Sequence, residues 1–149
     1  MKHILIAEDE PKLRFSLSCI LKGRGYKVSL ADNGNQALEI IKESHNKQID
    51  LILLDIQMPH LNGLQFLDEL EKLDCPSPPT LVMTGFGSRE ILLEIIHRGC
   101  IEYIDKPFTP EELFVAIDNS VKKVESIERK RNKESANSQA KLKGIENEK

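Results

Sequence analysis

Acidic, hydroxyl and amino side chains stand at the ends of apolar runs in this sequence. Glu8 and Asp9 follow "HILIA", and Asp55 follows "LILL". Thr84 follows "TLVM", and Lys106 lies just beyond "EYI". Carboxylates held close together repel each other, and a hard divalent cation such as Mg²⁺ neutralises them. With a metal and an ammonium group nearby, a carboxylate can act as the nucleophile that accepts a phosphoryl group.

The apolar runs predict the elements that bring these side chains together. Five short runs alternate with five amphipathic stretches, and the runs are residues 3–7, 26–31, 50–54, 79–83 and 100–104. Short runs rich in Ile, Leu and Val are typical of parallel strands covered on both faces. The carboxyl ends of parallel strands lie on one edge of the sheet, where ligands bind. We therefore predict a doubly wound α/β domain with a five-stranded parallel sheet, and one crevice that contains all these groups.

The amphipathic stretches follow the helical period. Leu13, Leu17 and Leu21 fall on one helix face. A last helix is predicted to begin at Thr109, because Thr is a good N-cap, Pro110 suits the first turn and Glu112 completes a capping box.

Length and composition limit the class of protein. The 149 residues suit one domain, and 30% charged residues indicate a soluble globular chain. No apolar run approaches the ~20 residues of a membrane span, and the start resembles no signal peptide. Cys19, Cys75 and Cys100 lack disulfide or zinc-site spacing, so a cytoplasmic location is expected.

Charge divides the chain into two parts. Of its 21 Lys/Arg and 24 Asp/Glu, residues 122–149 hold nine and five, which leaves 12 and 19 in residues 1–121. We predict an acidic domain over residues 2–124 and a charged extension over 125–149, helical to about Lys133 and disordered beyond. Interleaved acids and the lack of aromatic residues argue against nucleic-acid binding by the extension.

Four segments in order carry a resemblance to a known family: "ILIAEDEPKLR", "LILLDIQMPHLNG", "LVMTGFGS" and "YIDKPFTPEEL". Over residues 2–123 the chain resembles the receiver domain of bacterial two-component response regulators, of the single-domain, CheY-like kind. Each segment alone is modest evidence, whereas four at these intervals are highly specific. The resemblance implies a flavodoxin-like fold of five βα units.

The resemblance also implies roles for particular residues. Asp55 would be the phosphoacceptor and a ligand of Mg²⁺. Asp9 would bind the Mg²⁺ directly, Glu8 would act through water, and the backbone carbonyl of Gln57 would supply another ligand. The first acid is Glu8 where the family more often has Asp, a change of one methylene at a water-mediated position.

Further residues would respond to the phosphoryl group. Lys106 would pair with it, Thr84 would hydrogen-bond it, and Tyr103 would be the switch aromatic that turns inward. Phe86 would shield the acyl phosphate from water and prolong its lifetime. The output surface would comprise the fourth helix, fifth strand and fifth helix, roughly Ser88 to Ser120.

By the same resemblance the partners would be a sensor histidine kinase or a histidine phosphotransfer protein, and a downstream protein at the output surface. The protein would catalyse only its own phosphorylation and dephosphorylation. A homodimer through the fourth and fifth helices is left open. So are a receiver fragment of a larger regulator or hybrid kinase, and a pseudo-receiver that is not phosphorylated.

Two other functions fit the predicted fold less well. A flavin or nucleotide binder needs a phosphate-friendly loop after the first strand, but Glu8, Asp9 and Glu10 repel phosphate without a metal. A phosphatase with an aspartyl nucleophile resembles a D-x-D signature, and Gln57 stands where the second acid would be.

Overall fold

Strands and helices alternate in the computed structural model, which describes residues 2–43, 48–58, 61–73, 77–85, 89–98 and 102–147. Within these residues the strands are β1 (His3–Ala7), β2 (Lys27–Ala31), β3 (Leu51–Asp55), β4 (Thr80–Thr84) and β5 (Glu102–Asp105). The helices are α1 (Pro11–Gly23), α2 (Gly34–Glu43), α3 (Gly63–Glu71), α4 (Arg89–His97) and α5 (Pro110–Asn147). Each predicted strand overlaps an observed one, although residues 100 and 101 lie outside the described residues.

The five strands form one parallel sheet in the order β2-β1-β3-β4-β5. This confirms the predicted doubly wound architecture. It also places the carboxyl ends of β1, β3, β4 and β5 along one edge, with β1 and β3 adjacent at the centre. Lys106 therefore comes close to Glu8 although 98 positions separate them in the chain.

The expectation that strands are covered on both faces holds for three of them. Every residue of β1, β3 and β4 is buried, whereas β2 and β5 each contain exposed, half-buried and buried positions. The prediction was wrong for β2 and β5 because both lie at the edges of the sheet, where fewer neighbours cover them.

Successive strand residues build two cores because their side chains point to opposite faces. On one face Leu5, Ile52 and Val82 pack with residues of α2, α3 and α4. On the other face Ile4 and Leu53 pack with residues of α1 and α5. Two helices thus cover one side of the sheet and three cover the other, which holds the strand ends in fixed register.

Two local features hold the segments next to the strand ends. The Thr109 hydroxyl accepts from the backbone N–H of Glu112 at 3.1 Å, which confirms the predicted start of α5. The Gly63 N–H, at the start of α3, donates to the carbonyl of Ile56 at 2.8 Å. A Cβ at Gly63 would lie 2.8 Å from the Cα of Ile56, so only glycine lets α3 approach the segment after Asp55 this closely.

Helix α5 runs well past the domain. The sequence predicted an end near Lys133 and a disordered remainder, whereas the helix continues to Asn147. Glu, Lys, Arg and Ala are strong helix formers and no proline interrupts them, which accounts for a helix without apolar packing. Residues 125–139 are all exposed. Among the described residues, no helix is both long and apolar enough to span a membrane.

Candidate functional site

The ammonium group of Lys106 joins two buried carboxylates at the carboxyl edge of the sheet. Its Nζ donates to Oε2 of Glu8 at 2.9 Å and lies 3.4 Å from Oδ2 of Asp55. Glu8 is 1% exposed and Asp55 is 5% exposed, whereas the Lys106 side chain retains partial access to solvent. The predicted convergence of these three groups is therefore observed.

Backbone hydrogen bonds position each of these side chains. The N–H of Glu8 donates to the carbonyl of Ala31 at 3.1 Å, and that of Lys106 donates to the carbonyl of Thr84 at 2.7 Å. The Lys106–Pro107 peptide bond is cis. At Asp55, Oδ1 accepts from the N–H of Gln57 at 3.1 Å. The Asp55 carboxylate is thus held between a lysine on one oxygen and a backbone amide on the other.

Asp9 adds a third carboxylate to this pair. One oxygen from each of Glu8, Asp9 and Asp55 lies within 4.8 Å of the other two. Three carboxylates and one ammonium group leave an excess of two negative charges when all are ionised. Clustered carboxylate oxygens with this excess suit a hard divalent cation, so the donor set fits Mg²⁺.

Burial changes the acidity of the carboxylates. Desolvation raises the pKa of Glu8 to about 7, and the charge of Asp55 adds to this, although the hydrogen bond from Lys106 opposes it. Desolvation also raises the pKa of Asp55, opposed by the charge of Lys106 and the hydrogen bond from Gln57. Keeping these buried carboxylates ionised costs free energy, and a bound cation would remove that cost. Acids with perturbed pKa values are common at functional sites.

The pKa of Lys106 is decided by its acidic partners rather than by burial. Burial by itself lowers the pKa of Lys106, but the hydrogen bond that Lys106 donates to Glu8 and the charges of Asp55 and Glu8 outweigh it, so the pKa is raised. Lys106 therefore stays protonated, which is the form that can attract a phosphoryl oxygen.

The raised pKa of Glu8 predicts how stability depends on pH in the metal-free protein. Between pH 4.5 and about 7 the folded state keeps a proton that the unfolded state has released. The free energy of unfolding should therefore fall as the pH rises through this window, and Asp55 contributes in the same direction. Denaturant unfolding in a chelator should show the decline, and Glu8→Gln should flatten it. Glu10→Gln, at an exposed neighbouring position, should leave the decline unchanged. A free energy of unfolding that rises with pH across the window would contradict the prediction.

The two predicted switch residues, Thr84 and Tyr103, lie on β4 and β5. The hydroxyl of Thr84, at the end of β4, donates to Oδ1 of Asp105 at 2.8 Å. The side chain of Tyr103 on β5 points outward and is 41% exposed. Phe86 and Ser88 lie outside the described residues.

Sequence reasoning assigned no role to Arg14. Its Nη1 donates to the carbonyl of Glu8 at 2.9 Å and to that of Asp9 at 3.3 Å. Arg14 of α1 thus fixes the backbone of the acidic loop, residues 8–10, between β1 and α1. Asp105 was missed as well. The sequence shows that Arg14 is a cation in the first turns of α1 and that Asp105 is an acid beside Lys106. Neither feature reveals the contact that the residue makes, because the contact depends on how the strands pack.

A parallel sheet with clustered carboxylates and one lysine at its carboxyl edge defines a receiver-type protein. Residues 4–118 match the family model described as the response regulator receiver domain, and the chain belongs to this family. It is therefore a receiver domain of the two-component response regulators, as the sequence segments had indicated.

Individual relatives agree with this assignment. The chain is 35% identical over 118 residues to the transcriptional regulatory protein ZraR of Klebsiella oxytoca and 31% identical over 122 residues to the transcriptional activator protein PfeR of Pseudomonas aeruginosa. The matches cover 79% and 82% of this chain but only 26% and 38% of those proteins. The chain thus spans about a quarter to two fifths of the length of these relatives.

Solved structures show the same fold. A crystal structure of a response regulator receiver domain protein from Clostridium thermocellum superposes with a TM-score of 0.77 at 28% identity, over 85% of this chain and 99% of that one. Full-length FixJ from B. japonicum gives a TM-score of 0.75 at 26% identity, over 86% of this chain and 61% of that one.

Proposed function

We propose that Asp55 accepts a phosphoryl group from the phosphohistidine of a sensor histidine kinase or of a histidine phosphotransfer protein. The observation that carries this proposal is the placement of the Asp55 carboxylate, 3.4 Å from the Lys106 ammonium and clustered with Glu8 and Asp9. A carboxylate in this setting has a cation on one side and a metal-binding acid pair on the other, which is what phosphoryl transfer requires.

In the transfer, an oxygen of Asp55 attacks phosphorus and forms an O–P bond. The P–N bond of phosphohistidine breaks, and its electron pair stays on the imidazole nitrogen, which then takes up a proton. Lys106 draws the anionic phosphoryl oxygens towards Asp55 and offsets their charge. Hydrolysis removes the phosphoryl group, since water attacks phosphorus, inorganic phosphate is released and Asp55 leaves as a carboxylate. The protein in this proposal catalyses only these two reactions on itself.

Asp9, Asp55 and the backbone carbonyl of Gln57 would hold Mg²⁺, and Glu8 would act through water. When bound, the ion neutralises charge on the carboxylates and on the phosphoryl oxygens. Arg14 keeps the carbonyls of Glu8 and Asp9 in place, so the acidic loop is preorganised for the ion.

Phosphorylation would then change the surface formed by α4, β5 and α5. Leu93, Ile96 and Tyr103 leave apolar side chains exposed on α4 and β5, which supports a protein partner there. Thr84 would hydrogen-bond the phosphoryl group and Tyr103 would turn inward. A protein of this kind would work in the cytoplasm, where its kinase presents phosphohistidine.

A second candidate is favoured by the length of the relatives. ZraR and PfeR are named as transcriptional regulators, and this chain matches only 26% and 38% of them. In this alternative, residues 2–124 are the receiver part of a larger regulator and the exposed extension of α5 from residue 125 is the connection to an output region. The chemistry at Asp55 is the same in both candidates.

Intact mass spectrometry tests the proposal. The protein is incubated with acetyl phosphate as a small-molecule phosphodonor and Mg²⁺, with and without EDTA. We expect one added phosphoryl group with Mg²⁺ and almost none with EDTA, because the excess negative charge of the three carboxylates over Lys106 repels the anionic donor when no metal ion offsets it. A folded protein that gains no phosphoryl group would instead be a pseudo-receiver with a constitutive binding role.

A further inference from the structure

The hydroxyl of Thr84 already donates a hydrogen bond in this structure. It donates its proton to Oδ1 of Asp105 at 2.8 Å, and Thr84 is 2% exposed. A hydroxyl has one proton, so it can donate to one acceptor at a time. Thr84 cannot donate to Asp105 and to a phosphoryl group on Asp55 simultaneously.

The backbone fixes this contact. Thr84 is paired with Asp105 in the register of β4 and β5, and the N–H of Lys106 donates to the carbonyl of Thr84 at 2.7 Å. Strand β4 lies between β3, which carries Asp55, and β5, which carries Asp105. The hydroxyl is thus directed to the outer of two acidic neighbours.

The acceptor is also a strong one. A hydrogen bond to a carboxylate is stronger than one between neutral groups, and burial of the donor shields it from water. Asp105 itself is exposed, and its Oδ1 accepts from the buried hydroxyl of Thr84.

We propose that Asp105 is a positioning residue that holds the Thr84 hydroxyl away from Asp55 and thereby favours the unphosphorylated state. This inference rests on the proposed phosphorylation of Asp55. An incoming phosphoryl group must compete with Asp105 for the hydrogen bond that Thr84 donates. Asp105 therefore sets how readily Asp55 is phosphorylated. Asp105→Ala removes the competing acceptor, and Asp105→Asn keeps an acceptor oxygen while removing the charge.

The test is the initial rate of phosphoryl uptake from acetyl phosphate with Mg²⁺, followed by intact mass at a donor concentration below saturation. Asp105→Ala should raise the rate about three- to tenfold, the range expected when one hydrogen bond no longer competes. Asp105→Asn should fall between the wild type and Asp105→Ala, because its neutral amide oxygen still accepts from Thr84 but more weakly than the carboxylate. In a Thr84→Ala background, Asp105→Ala should have no effect, since the coupled partner is gone.

The outcomes separate this inference from the function on which it rests. If the wild type takes up no phosphoryl group, the proposed function fails and this inference fails with it. If the wild type is phosphorylated but Asp105→Ala is no faster, only the positioning role is overturned. If Asp105→Ala and Asp105→Asn accelerate equally, or if Asp105→Ala acts without Thr84, the effect is repulsion of the anionic donor and the positioning role is again overturned. Thermal unfolding should show that the two Asp105 variants remain folded, because Asp105 is exposed, and the double variant is compared with Thr84→Ala alone.

Discussion

Asp55→Asn should abolish phosphoryl uptake from acetyl phosphate, with a loss of at least about a hundredfold in rate, as is typical when a nucleophile is removed. Asparagine has nearly the shape of aspartate, and its amide oxygen can still accept from the N–H of Gln57, as Oδ1 of Asp55 does at 3.1 Å. The amide nitrogen that replaces Oδ2 is no nucleophile for phosphorus. The variant therefore separates the chemistry of Asp55 from its structural role.

The same substitution should leave the fold intact and even stabilise it. Burial raises the pKa of Asp55, which means that the folded state holds the carboxylate at a cost. Asparagine removes the charge, so the melting temperature without metal should be no lower than that of the wild type. A variant that is more stable but inactive is expected when the replaced residue serves the reaction rather than the fold.

A matched control lies at the other end of the same strand. Asp50 directly precedes β3, and its Oδ2 accepts from the N–H of His3 at 2.8 Å. Asp50→Asn keeps an acceptor there and lies at the amino edge of the sheet, so phosphoryl uptake should stay close to that of the wild type. Phosphorylation of Asp55→Asn at the wild-type rate would mean that another residue is the acceptor.

Lys106→Met should slow phosphoryl uptake by about a hundredfold, the usual cost of losing one charged group that stabilises a transferring phosphoryl group. Methionine has a similar length but no charge. Without the ammonium, the carboxylates of Glu8 and Asp55 repel the donor and each other more strongly. Time courses of intact mass with Mg²⁺ would measure the rate.

Lys106→Met should also reduce stability in a pH-dependent way. Above pH 7 Glu8 is charged and loses its partner at 2.9 Å, so the free energy of unfolding should fall by about 2 kcal/mol, typical of a buried group left unsatisfied. Near pH 4.5 Glu8 carries a proton in the folded state and the loss should be smaller. Denaturant unfolding at both pH values would show the difference.

The control for Lys106 is another paired lysine. Lys72 contacts Glu69 at 3.1 Å, but its side chain is 71% exposed, and exposed pairs contribute little. Lys72→Met should therefore change neither the rate nor the stability measurably. If Lys106→Met took up phosphoryl groups as fast as the wild type, Lys106 would serve only as a counter-ion for Glu8.

The sequence by itself determined the architecture and the content of the site. Hydrophobic runs at regular intervals sufficed to predict a parallel sheet, and the position of Asp55 at the end of one run sufficed to predict a reactive edge. Both depend on local patterns, since strand and helix periodicity are written in neighbouring residues. The end of α5 was mispredicted because apolar packing was taken as a condition for a helix, whereas the extension needs only helix-forming residues.

Only the tertiary structure decided which group contacts which. Lys106 hydrogen-bonds Glu8 and lies farther from Asp55, and the hydroxyl of Thr84 is turned to Asp105. These choices depend on the order β2-β1-β3-β4-β5, which sets strands distant in sequence side by side, and on the register of β4 with β5. The two acidic partners of Lys106 differ only slightly in distance, with 2.9 Å to Glu8 and 3.4 Å to Asp55. No local pattern encodes those distances, so the contacts of Thr84 emerge only when the sheet is assembled.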